Sequence, residues 1–307
     1  MILMCKNNKV YNTETEEVYN FNLLPGMMQK NPNNETYKKW MSLRYSLTCN
    51  EIAMKIITDV FGTDDRDVID KTTHALCLSD CYWIKEENEY LKFEDISPYF
   101  VDFYKGDGEY NGEAIPTLYI NGVLSKKWLS NSYMHKEEDT PEIEAECYRL
   151  CKLCSFHSID PIVTKNRIMF CNFTSPSFMS EQADMCGKID TDNLSKQSII
   201  DVFGLKGLQM LIMDAIVGNT DRHGGNFGWL RNADTGEYIT MAPLYGFDRA
   251  LDSKLDCDDL ILEIIDIVKE NEKYKKECCR IAKIISETNT NDIFKRRANT
   301  LLEYLNK

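Results

Sequence analysis

The side chains able to do chemistry crowd into one stretch, Asp214-Ala-Ile-Val-Gly-Asn-Thr-Asp-Arg-His-Gly-Gly-Asn-Phe-Gly-Trp-Leu-Arg231. An apolar helix is expected to stop at Gly218 and Asn219, and a polar loop to run from Asn219 to Asn226. Within that loop Asp221 and Asn226 stand five apart. A strand over 227–231, a turn over 232–236 and a strand over 237–242 form a hairpin that brings the chain to Pro243-Leu-Tyr-Gly-Phe-Asp248 and a third oxygen donor. Phosphoryl transfer needs such a set. One carboxylate orients the attacking hydroxyl and accepts its proton, while an amide oxygen and a further carboxylate hold Mg²⁺ against nucleotide phosphates.

The offset between Asp221 and Asn226 is the D-x-x-x-x-N spacing of the protein-kinase catalytic loop, where a hairpin also leads to the second metal ligand. An Asp alone reads as a surface residue or a helix cap. Asp, His, Asn and two glycines packed directly after a buried helix are a more specific signal. No GxxxxGK[ST] loop is present, and Gly106, Gly108 and Gly112 miss the GxGxxG spacing by one residue. A metal-dependent phosphoesterase is the rival enzyme class, but such sites use several histidines. Of the four here, His74, His135, His157 and His223, only His223 lies in the loop.

On Asn219-x-Asp221-x-His223-x-x-Asn226-Phe-Gly and Ala242-Pro-Leu-Tyr245, the chain resembles the HipA-like serine/threonine kinases, including the compact CtkA-type members. Weaker echoes are Leu78-Ser-Asp-Cys-Tyr-Trp-Ile84, Asn121-Gly-Val-Leu-Ser-Lys-Lys-Trp128 and the acidic helix near Glu146. The resemblance implies an α+β, bilobal protein-kinase-like fold, with a small antiparallel sheet plus helices in the N-lobe and a mostly helical C-lobe. It makes Asp221 the catalytic base, Asn226 a Mg²⁺ ligand and His223 a structural member of the loop. It assigns Lys136 to the phosphates of ATP, with Glu146 as its partner and Glu142 and Glu144 as alternates. The stretch 121–127 becomes the phosphate-covering loop, Gly122 permitting close approach and Ser125 serving as an autophosphorylation site. The substrate would be a protein bearing a Ser or Thr hydroxyl, and a regulatory partner protein is expected.

One position departs from the pattern: Gly246 stands where the family has its metal-binding Asp. Residues two apart in an extended strand face the same side, so Asp248 is expected to reach the same ion from a shifted register. Should it not reach, the chain becomes a nucleotide-binding pseudokinase or an inactivated kinase.

The elements that must position these residues follow from periodicity. The first 70 residues read as mostly helical, with helices over 37–46 and 50–61, a turn over 47–49, an N-cap at Asn50 and a stop at Gly62. Aromatic and β-branched runs at 76–84, 117–120, 127–129 and 133–136 read as a small antiparallel sheet, with the loosest connector over 105–112. Pro141 opens a helix to about Cys154. A strand over 168–173, a continuous helix from Ser195 to Val217 and helices beyond Leu251 complete the reading. The domains are expected as 1–70 packed on the N-lobe, 71–180 as the N-lobe and 181–307 as the C-lobe.

Composition sets the outer limits. Hydrophobic residues at 43% and charged residues at 28% exclude a wholly disordered or fibrous chain. With 36 basic against 49 acidic residues the net charge is −13, which argues against direct nucleic-acid binding. Apolar runs are far shorter than the roughly 20 residues a membrane span needs, and no signal peptide is legible, so a cytoplasmic protein is expected. Twelve cysteines then read as free thiols. Cys147, Cys151 and Cys154 fall along one helical stripe, which reads as buried thiols rather than a metal site with His157.

Overall fold

The computed structural model describes residues 1–45, 50–105, 110, 114–122, 124–251 and 258–306. The expected turn over 47–49 and most of the connector over 105–112 lie outside the described residues. The strands are β1 (Ile2–Cys5), β2 (Asn8–Asn12), β3 (Tyr82–Lys85), β4 (Lys126–Ser130), β5 (Tyr133–Glu137), β6 (Pro161–Thr164), β7 (Arg167–Cys171), β8 (Phe178–Gln182), β9 (Gly228–Asn232) and β10 (Tyr238–Met241). The longer helices are α1 (Asn34–Arg44), α2 (Arg66–Thr73), α3 (Pro141–Leu153), α4 (Lys196–Phe203), α5 (Leu205–Val217), α6 (Asp258–Val268), α7 (Glu272–Glu287) and α8 (Asp292–Leu305). No helix among the described residues is long and apolar enough to cross a membrane.

The chain divides into two compact units that interleave along the sequence. The first comprises Met1–Glu138, Arg167–Lys188 and Gly228–Thr240; the second comprises Asp139–Asn166, Ile189–Phe227 and Met241–Lys307. These units differ from the expected linear cuts near 70 and 180. The reason is strand pairing: β9 lies antiparallel to β8, from Phe178↔Asn232 to Gln182↔Gly228, and this ladder draws 228–240 back into the first unit.

The first unit begins with strands where helix was expected. β1 is the middle strand of the sheet β2-β1-β3, and all four of its residues are buried. A central strand covered on both faces reads as a short apolar run without alternation, which periodicity alone does not separate from helix. Its hairpin turn, at Lys6 and Asn7, has Lys6 at φ 51° and no glycine to announce it. The helix expected over 37–46 runs from Asn34 to Arg44, capped by Asn33, while Asn50 caps Glu51–Ile56 as expected and its continuation stops at left-handed Gly62. Trp40, Trp83, Tyr11 and Phe93 fill the core. Arg44 and Asp80 pair inside it at 2.8 Å, the guanidinium lying over the Trp40 ring.

A second sheet in this unit pairs β4 with β5 and β5 with β7, with Lys136 opposite both Lys126 and Ile168. The run expected as a strand over 117–120 is a 3₁₀ turn instead, opened by Pro116, whose fixed φ suits the first position of a helical turn. Of the run 76–84, only its end pairs as a strand, Tyr82–Lys85.

The second unit is helical apart from β6. Helix α5 is buried from Met210 to Val217 without a polar face, as a helix surrounded on all sides must be; α4, α6, α7 and α8 all pack on it. The expected continuous helix over 195–217 is broken at Gly204, whose φ of 57° lets the chain turn between α4 and α5. Ser195 and Ser198 form a reciprocal capping box on α4. Cys147, Cys151 and Cys154 are fully buried in or beside α3, where burial holds their thiols above the ordinary range. Among the described residues no cluster of three or more His, Cys, Asp or Glu side chains is arranged to hold a metal.

Candidate active site

The candidate loop hangs on the end of a buried helix. Helix α5 stops at left-handed Gly218, whose N–H bonds back to the Asp214 carbonyl. Asp214 is buried, and three donors converge on its carboxylate. Arg222 reaches it with two parallel bonds, Nε to Oδ2 at 2.9 Å and Nη2 to Oδ1 at 2.7 Å. Asn219 Nδ2 donates to Oδ1 at 2.9 Å. Burial opposes the Arg222 charge, and Asp214 more than restores it. The other terminal nitrogen, Nη1, donates to the carbonyls of Asn226 and Tyr245, each at 2.7 Å.

Asp221 and Asn226 are brought together in this loop. Asn226 Nδ2 donates to the Asp221 carbonyl at 2.7 Å, and the Asn226 N–H to the His223 carbonyl at 2.9 Å. A carbonyl only accepts, so the side-chain nitrogen must face Asp221 and the orientation of the amide is fixed. Its Oδ1 is thereby turned away from the loop. The Asp221 carboxylate is half exposed and stands 3.9 Å from His223 Nε2, beyond hydrogen-bond range. His223 Nδ1 accepts from the Gly225 N–H at 3.1 Å, which leaves the ring proton of the neutral form on Nε2, toward Asp221.

Gly246 lies directly against Asn226. A Cβ built at this glycine would stand 3.1 Å from Asn226 Cγ and 3.3 Å from Oδ1. Its N–H donates to the Tyr148 hydroxyl at 3.1 Å, and its carbonyl accepts from Asn219 Nδ2 at 3.3 Å. With φ at 78° the backbone is left-handed here, and residues 248–250 form a turn. This corrects the argument that carried Asp248: strand alternation does not operate between Gly246 and Asp248. Phe247, between them, is buried against the Tyr148 ring at 5.2 Å. Mg²⁺ keeps several waters and takes one or two protein oxygens beside the nucleotide phosphates. A fixed amide oxygen on Asn226, in the same loop as the half-exposed Asp221 carboxylate, fits that demand; Gly246 itself contributes no oxygen from a side chain.

The remaining candidates divide between the two units. Lys136, Gly122 and Ser125 belong to the first. Lys136 is buried, and Glu138, two residues on, lies 3.4 Å from its Nζ. Gly122 has φ 124°, with the Lys126 side chain folded over it toward the Asn121 carbonyl, and the Ser125 carbonyl accepts from the Glu137 N–H. In the second unit Glu146 has its own partners, Arg149 at 2.5 Å through two bonds and the Thr290 hydroxyl. Burial pushes its pKa up, but those bonds outweigh it and hold the carboxyl below the usual range. Glu144 is the buried acid of α3, and its Oε1 accepts from the Tyr148 hydroxyl at 2.9 Å. Glu142 is exposed.

With that geometry in hand, the comparisons with known proteins bear on the fold. No protein-family model matches the chain, and no curated protein matches it by sequence. Among solved structures it is similar to a chain of the Shewanella oneidensis MR-1 toxin–antitoxin complex of HipA, HipB and operator DNA, at a TM-score of 0.59 and 12% identity, over 99% of this chain and 96% of that one. The fold is HipA-like. It is also similar to the Helicobacter pylori proinflammatory kinase CtkA, at a TM-score of 0.39 and 18% identity, over 61% of this chain and 90% of that one. Over 99% of its length the chain therefore carries the α+β HipA-like fold that the resemblance implied.

Within the HipA-like fold, four residues to which the sequence reading gave no role shape the site: Asp214, Asn219, Arg222 and Tyr148. Only Asn219 and Arg222 lay inside the motif, and nothing in their spacing separates an inward guanidinium from a solvated one. Asp214 gave a usable signal, as a lone charge in the otherwise apolar run from Met210 to Val217. A buried carboxylate needs a partner, and the arginine eight residues later supplies it.

Proposed function

We propose that this chain is an ATP- and Mg²⁺-dependent serine/threonine protein kinase of the HipA-like type. The observation that carries the reading is the pairing of Asp221 and Asn226 in one loop, the amide orientation locked by the Asp221 carbonyl and the carboxylate left open. Asp221 aligns the hydroxyl of a serine or threonine and takes its proton as the oxygen attacks the γ-phosphorus. Asn226 Oδ1 is the protein oxygen offered to the metal, and Mg²⁺, when bound, neutralises charge on the phosphates. Asp248 is proposed as a second metal oxygen, reached through the turn rather than along a strand. Lys136 is proposed to hold the ATP phosphates, with Gly122 and Ser125 in the covering loop.

Two features shape the alternatives. Gly246 favours a second reading, a nucleotide-binding pseudokinase, because a site short of one carboxylate neutralises less phosphate charge. A phosphoesterase draws no support from a loop with a single histidine. A structural neighbour is recorded with a second protein, and a regulatory partner protein is proposed here on that likeness. The test is incubation with γ-labelled ATP and Mg²⁺, alone and with a Ser/Thr-containing protein, beside hydrolysis of a phosphoester with Mn²⁺. Label on protein supports the kinase. Mg·ATP binding without transfer supports the pseudokinase, and phosphoester hydrolysis alone overturns both.

A further inference from the structure

Arg222 is committed in a way that surface or capping roles do not explain. Its side chain is 6% exposed, as is that of Asp214, and its four hydrogen bonds go to three separate places. Two reach the Asp214 carboxylate on α5, the most buried helix of the second unit. One reaches the carbonyl of Asn226, and one the carbonyl of Tyr245, the residue before Gly246. The guanidinium also lies 5.2 Å from the Phe247 ring centroid. A single planar cation thus fixes the distance between the loop bearing Asn226 and the segment 245–247, and refers both to a rigid helix. The residue whose carbonyl it holds, Asn226, is the one that turns its Oδ1 away from the loop.

We infer that Arg222 is a positioning residue: with Asp214 as its anchor, it sets the Asn226 amide oxygen against the Tyr245–Phe247 segment at the spacing needed for Mg²⁺-bound nucleotide. The inference rests on the kinase reading above and names a residue that reading does not use. The planar fork is required, because a lysine's compact ammonium lacks the rigid spread of donors that makes two parallel bonds to Asp214 while reaching both carbonyls. A purely structural arginine would weaken folding and leave metal dependence alone. A positioning arginine instead weakens the Mg²⁺-dependent part of nucleotide binding, and does so through Asn226.

The experiment is calorimetric titration of the full chain with ATP in Mg²⁺ and with ATP in EDTA, alongside melting curves. Arg222→Met leaves Asp214 buried and unpaired, so Asp214→Asn/Arg222→Met is made as well; in it the introduced amide oxygen still accepts from Asn219 and no lone charge remains. The expected result is a loss of about 10- to 100-fold in Mg·ATP affinity in both variants, with ATP affinity in EDTA unchanged. Arg222→Lys does not restore binding, and combining Arg222→Met with Asn226→Ala loses less than the sum of the two. Wild-type Mg²⁺ dependence in the folded double variant overturns the inference, as do equal losses in EDTA, additive losses, or a double variant that does not fold. If the wild-type chain binds no Mg·ATP at all, the kinase reading itself has failed, a result separable from every variant outcome.

Discussion

Asn226 has one face of its amide tied to the Asp221 carbonyl and the other turned toward Gly246, and that arrangement was half legible in the sequence. The spacing of Asp221 and Asn226 put them in one loop, as the structure has them, because local chain geometry decides it. Arg222 and Tyr148 were invisible, because their roles depend on which distant carbonyls and carboxylates the fold delivers to them. Gly246 can be tested directly. A left-handed residue other than glycine costs about 1–2 kcal/mol, Asp being among the better tolerated, and its Cβ would press on the Asn226 amide. Gly246→Ala and Gly246→Asp should therefore both lower stability by about that amount in denaturant titration, while only Gly246→Asp tightens Mg²⁺-dependent ATP binding. Equal binding in the two would remove Gly246 from the metal argument. On α3, Glu146 is occupied by Arg149 and Thr290 whereas Glu144 is buried beside Tyr148. Glu144→Gln is expected to reduce phosphate transfer about tenfold or more, and Glu146→Gln to leave it within about twofold. The reverse order would restore Glu146 as the functional acid.

At the scale of elements, caps and glycines were read more securely than strands. Asn50, Gly62, Pro141 and Gly218 each mark a boundary the structure keeps, because capping is decided by a residue and its nearest neighbours. The strand β1 was missed since burial on both faces erases alternation, and the break at Gly204 was missed because apolar spacing runs on across it. Asn50 tests the local rule: its Oδ1 accepts from the N–H groups of Ile52 and Ala53, and its Nδ2 donates to the Lys126 carbonyl at 3.2 Å. Asn50→Ala should cost about 1 kcal/mol in urea unfolding, and more if the bond to β4 adds to the cap. A loss below a few tenths would show that Glu51–Ile56 is held by packing alone.

For the whole molecule, the acidic balance and the absence of a long apolar run bounded the class, but the interleaving of the two units followed from ladders between distant segments that no local pattern encodes. The HipA-like fold supplies the frame, and the loop on α5 carries the proposed chemistry. Mg·ATP at about 100 times its dissociation constant adds about 2.7 kcal/mol to the stability of the state that binds it, so nucleotide binding and phosphate transfer can be read on the same samples. The decisive comparison is the unmodified chain against Asp221→Asn, both with γ-labelled ATP and Mg²⁺. Asn keeps the size of Asp221 and its backbone carbonyl, hence the bond from Asn226, and removes only the proton acceptor. The expected result is Mg·ATP-dependent stabilisation in both proteins with label incorporated by the unmodified chain alone; label incorporated equally by Asp221→Asn would contradict the assignment of Asp221 as the base.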